Sequence, residues 1–155
     1  MKHLNCDQLL RCVDLYEYNN KFYVFMDYMD GGMISRVIKR RFGLLGEDFC
    51  KWSLYQVALG LKAMHDENIL HRDIKADNVL CSASGSIKLA DLGFSCFLSE
   101  LNMYRSSGKG TPCFAAPELF KGIMYSKEVD VWAFGCFAYE LAMGDPPFIN
   151  ELRRD

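Results

Sequence analysis

The sequence predicts an α+β fold, in which pairs of short strands alternate with longer helices. Two apolar, aromatic-rich runs at residues 9–18 and 22–28 have the composition of paired strands. A mostly apolar stretch at residues 46–65 has the length of a helix rather than of a strand. The chain has 155 residues, which is the size of one domain and is enough to bury a single core.

Composition and charge restrict the functional class. The formal net charge of −2 gives no electrostatic indication of nucleic acid or of a membrane surface as a partner. The longest apolar run, residues 131–139, is well short of the roughly 18 residues that a membrane span needs. The seven cysteines are irregularly spaced and include no Cys-x-x-Cys pair, which argues against a disulfide framework or a zinc site. With no apolar leader at the start, these features predict a cytoplasmic location.

The first half is predicted to contain a hairpin followed by two helices. The pair Asn19-Asn20 separates the two apolar runs and favours the left-handed backbone of a tight hairpin turn. Asp30-Gly31-Gly32 then ends the second strand, and residues 33–41 are predicted to form a short helix. Apolar residues occupy most of the circumference of the helix predicted at residues 46–65, so we expect that helix to be largely buried.

The second half is predicted to contain a hairpin, an irregular segment and a final helix. Residues 79–81 and 87–89 are short apolar strands on either side of a turn rich in Ser and Gly. From residue 92 to 120 the periodicity disappears, which predicts a long irregular segment of the kind that is usually functional. The final helix is predicted to run from Ser126 as its N-cap to Gly144, since glycine followed by proline is typical of a helix end.

Four polar side chains around the second hairpin favour phosphoryl chemistry. Asn78 precedes the first strand of this hairpin and Asp91 follows the second, so the hairpin brings both to the same end. Their oxygens suit Mg²⁺, which prefers few protein ligands together with water and phosphate oxygens. Asp73 lies in the preceding loop and could accept a proton from an attacking hydroxyl, while Lys75 could neutralise a transferring phosphoryl group.

These residues belong to a set of motifs with a fixed order and spacing. The motifs are His71-Arg72-Asp73 with Asn78, Asp91-Leu92-Gly93, Ala116-Pro117-Glu118 and Asp130-Val131-Trp132-Ala133-Phe134-Gly135. Each motif alone is weak, but chance agreement of all of them in order is roughly a few per cent at most. The chain resembles the serine/threonine protein kinases. Its His-Arg-Asp-Ile-Lys-Ala-Asp-Asn-Val-Leu and Gly-Thr-Pro-Cys-Phe-Ala-Ala-Pro-Glu segments resemble the sterile-twenty and p21-activated group of that family.

The resemblance implies a protein-kinase-like fold that is incomplete at both ends. Residues 1–32 would form the last strands of the small lobe and the hinge. Residues 33–155 would form the upper part of the mainly helical large lobe, truncated after its central buried helix. The sequence contains neither the Gly-rich loop nor the strand lysine that this family carries ahead of the strands that residues 9–28 resemble.

The resemblance also implies a site for ATP and Mg²⁺. The implied nucleotide-binding residues are Met26 as gatekeeper, Asp27 and Met29 in the hinge, and Ile34 and Leu80 as the floor of the adenine pocket. The implied catalytic residues are Asp73 as base, Lys75 as the phosphate-steadying lysine and Thr111, which would hydrogen-bond both. The implied metal ligands are Asn78 and Asp91.

Regulation and substrate choice are expected at two further sets of residues. Arg72, which precedes the catalytic aspartate, implies control by phosphorylation of Ser107 or Ser106, either by an upstream kinase or by autophosphorylation. An unmodified flexible loop fits the sequence nearly as well. Asp77 and Glu140 occupy the positions of an acidic pair that binds an arginine upstream of the phosphoacceptor. Equally, Asp77 could cap a turn and Glu140 could pair within the core.

The leading hypothesis is therefore a serine/threonine protein kinase that transfers the γ-phosphoryl group of ATP to hydroxyls of protein substrates. A kinase-derived binding or scaffold module without catalysis is the alternative. A metal-dependent phosphoesterase that uses Asp73, Asn78 and Asp91 is a third reading. It would require chance agreement with the hinge and docking motifs.

Overall fold

The structure, a computed structural model, describes residues 4, 6–41, 45–98, 110–121 and 124–149. Within these ranges it confirms the α+β class, with seven short strands and four helices. In chain order the elements are β1 (Cys12–Tyr18), β2 (Lys21–Met26), β3 (Gly32–Met33), α1 (Ile34–Arg40), α2 (Glu47–Asp66), β4 (Ile69–Leu70), β5 (Val79–Cys81), β6 (Ile87–Leu89), β7 (Cys96–Phe97), α3 (Pro117–Phe120) and α4 (Glu128–Met143). In the described part of the chain, no helix is long and apolar enough to cross a bilayer.

The first hairpin confirms the turn predicted from the asparagine pair. β1 and β2 are antiparallel, and Tyr18 is opposite Lys21. Asn19 and Asn20 have φ angles of 50° and 57°, the left-handed conformation that matches the twist of the two strands. At the open end of the hairpin the Asp27 N–H donates to the carbonyl of residue 11 at 3.1 Å, so the hairpin leads directly into the predicted hinge.

A three-stranded antiparallel sheet in the order β3-β5-β6 forms the centre of the fold. Its register pairs Leu80 with Met33 on one side and with Lys88 on the other, so these side chains share one face. The side chains of the opposite face are buried in the main core, namely Val79, Cys81, Ile87 and Leu89. The predicted strands at 79–81 and 87–89 are therefore confirmed.

Helix α2 is less buried than its composition predicted. Its buried residues follow a single helical stripe, namely Ser53, Gln56, Val57, Gly60, Leu61 and Met64. Trp52 and Tyr55 lie outside this stripe and are about half exposed, at 48% and 57%. The expectation of a largely buried helix is wrong for the described part of the chain, because only one face of α2 packs against β6, β4 and α4.

Helix α4 confirms the predicted end but corrects the predicted start. Gly144 adopts the left-handed conformation, with φ 84°, and its N–H closes the last turn on the carbonyl of Glu140 at 2.9 Å. At the start, Lys127 rather than Ser126 is the N-cap, and no side chain caps the helix. Ser126 instead donates its backbone N–H to the Glu128 carboxylate at 2.7 Å, so the cap predicted at Ser126 is wrong.

A buried carboxylate on α4 holds the loop that follows β4. Asp130 has no exposed surface. It accepts hydrogen bonds from the backbone N–H of His71 at 2.9 Å and of Arg72 at 2.7 Å. Its Oδ2 atom also lies 2.9 Å from Nε2 of His65 on α2. Since Arg72 has a φ angle of 67°, which is unfavourable for a residue with a side chain, Asp130 stabilises a strained backbone at this point.

We expect Asp130→Ala to lower the free energy of unfolding by about 3 kcal/mol, because two buried N–H groups would lose their acceptor. Urea denaturation of the chain followed by circular dichroism measures this change. The exposed Asp48 on α2 offers a matched control, and we expect Asp48→Ala to change stability by less than about 1 kcal/mol. Equal destabilisation by the two substitutions would contradict this role of Asp130.

Candidate active site

The candidate site is built around Asp73 in the loop of residues 71–78. Asp73 is only 2% exposed. Its Oδ1 atom accepts hydrogen bonds from the hydroxyl of Thr111 at 2.8 Å and from the N–H of the same residue at 3.2 Å. Its Oδ2 atom accepts from Nζ of Lys75 at 2.7 Å and from Nδ2 of Asn78 at 2.7 Å. Four donors therefore converge on one carboxylate.

This environment keeps Asp73 ionised. Burial alone raises the pKa of its carboxyl group, but hydrogen bonds from Lys75, Thr111 and Asn78 and the charge of Lys75 outweigh burial and lower the pKa below its ordinary value. An ionised carboxylate with oriented lone pairs can accept a hydrogen bond from a hydroxyl and then its proton. The site is thus electrostatically suited to activate an alcohol.

Lys75 and Thr111 contact each other as well as Asp73. The hydroxyl of Thr111 accepts from Nζ of Lys75 at 2.6 Å while it donates to Asp73. The predicted hydrogen bonds of Thr111 are confirmed. Gly110 makes this approach possible, because its φ angle of 128° is accessible to glycine and a Cβ atom there would lie 2.8 Å from the carbonyl oxygen of Arg72.

His71 supports the loop as a neutral imidazole. Burial lowers the pKa of His71, and this effect exceeds the opposing influence of Asp130 and Asp73. The N–H of Asp73 donates to Nδ1 of His71 at 3.2 Å, so Nε2 carries the ring proton and donates it to the carbonyl of Ala90 at 3.0 Å. His71 therefore joins the Asp73 loop to the end of β6.

The two expected metal ligands lie at the same end of the β5–β6 hairpin. The N–H of Ala90 donates to the carbonyl of Asn78 at 2.8 Å, and Asp91 is the next residue. One oxygen of Asp91 accepts from the N–H of Gly93 at 3.1 Å, which leaves its other oxygen for a cation. Nδ2 of Asn78 is used by Asp73, so its amide oxygen is the atom that could bind a metal. Two oxygen donors of this kind fit Mg²⁺, which takes its remaining ligands from water and phosphate.

Asp91 also has an unfavourable backbone, with a φ angle of 59°. No group of three or more His, Cys, Asp or Glu side chains able to hold a metal occurs among the described residues.

The expected nucleotide-binding residues have different exposures. Met26 is 53% exposed at the end of β2, and Met29 is buried. Within the described part of the chain, no hydrogen bond uses the carbonyl of Asp27 or the N–H of Met29. Leu80 is partly exposed on the face of the central sheet that it shares with Met33 and Lys88. Ile34 has no exposed surface and packs in the main core, so in this structure it lies beneath the expected floor rather than on it.

Arg72 is buried in a polar pocket formed by two later segments. Its Nε atom donates to the carbonyl of Phe94 at 2.6 Å, and one terminal nitrogen donates to the hydroxyl of Tyr125 at 3.1 Å. Tyr125 is completely buried. Nothing in the sequence indicated Tyr125, because a single aromatic residue outside a helix or strand gives no periodic signal. Ser106 and Ser107, the expected phosphorylation sites, lie outside the described residues.

The two residues of the expected acidic pair each have a partner within the protein. Asp77 is exposed and accepts a hydrogen bond from the hydroxyl of Ser35 at 2.6 Å. Glu140, 8% exposed, accepts one from the backbone N–H of Ala76 at 2.9 Å. Burial raises the pKa of Glu140 to about 7, and the charges of Asp77 and Asp145 add to this shift against the opposing effects of Ala76 and Lys75.

A cavity of about 950 Å³ lies behind the hinge rather than over Asp73. It is lined by residues from the amino-terminal segment, β1, α2, β4, β6 and β7, and it includes Asp27. Asp73, Lys75 and Thr111 are not among the residues that line this cavity.

Comparison with known proteins agrees with the order and geometry of the motifs. Residues 1–155 match the family described as the protein kinase domain. This chain belongs to the protein kinase family. It is 37% identical over 151 residues to the serine/threonine-protein kinase pakA of Dictyostelium discoideum, with 97% of this chain and 13% of that protein covered. The expected kinase-like fold and family are confirmed.

Two further relatives support the subgroup. The kinase chain is 36% identical over 150 residues to the serine/threonine-protein kinase STE20 of Yarrowia lipolytica, covering 97% of this chain and 13% of that protein. It is also 37% identical over 150 residues to STE20 of Saccharomyces cerevisiae, with 97% and 15% covered. The resemblance to the sterile-twenty and p21-activated group is confirmed. The chain spans only about an eighth to a seventh of the length of these relatives.

The raised pKa of Glu140 predicts a stability change with pH. The carboxyl group of Glu140 binds its proton more tightly in the folded chain than in the unfolded chain, where we take its pKa as the ordinary 4.5. Its contribution to stability is therefore fully present below about pH 4.5. This stabilisation is lost as the pH rises to about 7, where a buried charge forms. The difference in unfolding free energy between Glu140→Gln and the wild type should therefore grow by about 2 kcal/mol, in favour of the variant, as the pH rises from about 5 to about 8.

Urea denaturation at both pH values measures this gain. Glu67→Gln, at an exposed position after α2, is the matched control and should show no pH-dependent difference. A pH-independent effect of Glu140→Gln would show that the carboxyl group does not titrate in this range.

Proposed function

We propose that this chain is the catalytic core of a serine/threonine protein kinase, which transfers the γ-phosphoryl group of ATP to hydroxyls of protein substrates. The observation that carries the proposal is the set of hydrogen bonds that joins Asp73, Lys75 and Thr111. It places an ionised carboxylate beside a cation, as transfer from a phosphate to an alcohol requires. The names of the relatives agree with the serine/threonine class.

In the proposed reaction the substrate hydroxyl donates a hydrogen bond to the Asp73 carboxylate. The oxygen of the substrate hydroxyl attacks the γ-phosphorus. The bond from that phosphorus to the bridging oxygen breaks, and ADP leaves with the electron pair. The proton passes to Asp73, and Lys75 stabilises the negative charge of the transferring group. Asn78 and Asp91 would hold Mg²⁺, which neutralises phosphate charge when it is bound.

The hinge is proposed to bind the adenine edge. The carbonyl of Asp27 and the N–H of Met29 are two residues apart in the irregular segment that follows β2, and adenine offers a complementary donor and acceptor. Leu80 would contact the base from below, with Ile34 behind it. Met26 would limit the depth of the pocket as gatekeeper.

The proposed domain organisation follows the same assignment. Residues 1–32 would be the end of a small lobe and the hinge, and residues 33–155 would belong to the large lobe. The kinase would act in the cytoplasm, in agreement with cysteines that are all free among those described.

We expect Asp73→Asn to reduce the rate of phosphoryl transfer by roughly 10²-fold to 10⁴-fold, because the amide cannot accept the proton. Transfer of phosphate from Mg-ATP to a serine peptide measures the rate. Asp48→Asn, at an exposed position, should leave the rate unchanged. A wild-type chain that binds protein partners but is no faster than Asp73→Asn would favour the binding or scaffold module instead.

Phosphorylation at Ser107 or Ser106 is proposed to regulate the kinase through Arg72. A phosphate could form charge-assisted hydrogen bonds with this arginine, which precedes Asp73 in the loop of residues 71–78. We expect phosphopeptide mapping of active protein to find phosphate at one of the two serines, and Ser107→Ala to lower activity severalfold. Active protein that is unmodified at both serines would contradict this proposal.

Substrates with arginine at the second position before the phosphoacceptor are proposed to be preferred. The exposed Asp77 would contact the guanidinium group first, with Glu140 behind it. We expect kcat/KM to be about tenfold higher for the arginine peptide than for its alanine counterpart, in keeping with the strength of a charge-assisted hydrogen bond. Asp77→Asn should reduce this ratio. Equal turnover of the two peptides by the wild type would contradict the preference.

A further inference from the structure

Two carboxylates of α4 hold the catalytic loop at its two ends. Asp130 accepts from the N–H groups of His71 and Arg72, and Glu140 accepts from the N–H of Ala76. The two acidic residues are ten positions apart, which corresponds to roughly 15 Å along a helix. The catalytic Asp73 lies in sequence between the two points of attachment.

The contact at Ala76 lies next to the groups that act on phosphate. Ala76 is fully buried and is the first residue of the short 3-10 turn Ala76–Asn78, so its N–H has no partner within that turn. Lys75 precedes it, and the N–H of Asn78 donates to the carbonyl of Lys75 at 3.0 Å. A shift of the Ala76 backbone would therefore move both Lys75 and Asn78, whose side chains donate to Asp73.

We propose that Glu140 is a positioning residue for phosphoryl transfer, which places Lys75 and Asn78 through the backbone of Ala76. This role rests on the proposed kinase function and is distinct from recognition of a substrate arginine. It explains why a carboxylate with little exposed surface is kept beside the loop, where its charge destabilises the fold. An ionised carboxylate accepts the Ala76 hydrogen bond more strongly than a neutral carboxyl group does.

The charged groups around Glu140 come from two sides. Lys75 and Asp77 belong to the catalytic loop, and Asp145 follows α4. Lys75 favours the ionised form, while the two aspartates and burial oppose it. Because the pKa of Glu140 is raised to about 7, protonation just below neutral pH should weaken the hold on Ala76.

Steady-state kinetics over about pH 6 to pH 8 test this role with the alanine peptide, which offers no arginine to the acidic pair. We expect the wild-type kcat to fall severalfold from about pH 8 to pH 6, and Glu140→Gln to remove this dependence while it keeps an acceptor for Ala76. Glu140→Ala, which removes the acceptor, should lower kcat about tenfold or more at every pH. Glu67→Gln should behave as the wild type.

A second measurement does not depend on activity. In ¹⁵N-labelled chain, the Ala76 amide resonance should titrate with a midpoint near pH 7 in the wild type and should not titrate in Glu140→Gln. An Ala76 resonance that is independent of pH in the wild type would overturn the proposal. So would a Glu140→Ala variant that raises KM for the arginine peptide but keeps the wild-type kcat on the alanine peptide, a result that leaves the kinase function intact.

Absence of phosphoryl transfer by the wild type would instead contradict the proposed kinase function. The Ala76 titration would still decide whether Glu140 holds the loop.

Discussion

The site depends on the hydrogen bonds that the buried carboxylate of Asp130 accepts from the backbone of His71 and Arg72. A carboxylate without exposed surface is costly unless hydrogen bonds compensate for its lost hydration, and here two backbone N–H groups and His65 surround it. These contacts join α2, the loop of residues 71–78 and α4. They also hold Arg72 in a left-handed conformation that it would not adopt alone. The orientation of Asp73, the next residue, therefore depends on a helix almost sixty residues further along the chain.

Several energetically unfavourable features are concentrated at the same place. Arg72 and Asp91 both have positive φ angles, and Glu140 places an ionisable group where burial disfavours its charge. The apolar core beneath the β3-β5-β6 sheet compensates for these costs with a continuous cluster of buried side chains from α1, α2, the sheet and α4. Natural proteins tolerate such costs where function requires a particular backbone geometry.

The electrostatic properties of the site follow from how donors are distributed. Asp73 receives four hydrogen bonds and stays ionised, whereas Glu140 accepts a hydrogen bond from the backbone N–H of Ala76 and has a pKa of about 7. His71 is buried with one donor and one acceptor contact and is neutral. Burial disfavours the charged form of all three groups, and only at Asp73 do hydrogen bonds and the charge of Lys75 outweigh burial.

The sequence by itself determined the features with local causes. The Asn19-Asn20 turn, the strands at 79–81 and 87–89 and the Gly144 helix end depend on backbone preferences or side-chain periodicity, and the spaced motifs identified the family. Only the tertiary structure decided that one face of α2 is buried, that Asp77 binds Ser35 and that Glu140 binds Ala76. The two hydrogen bonds join residues that are 42 and 64 positions apart in the sequence, so they depend on how the helices and loops pack together. No periodicity or propensity along the chain encodes that packing.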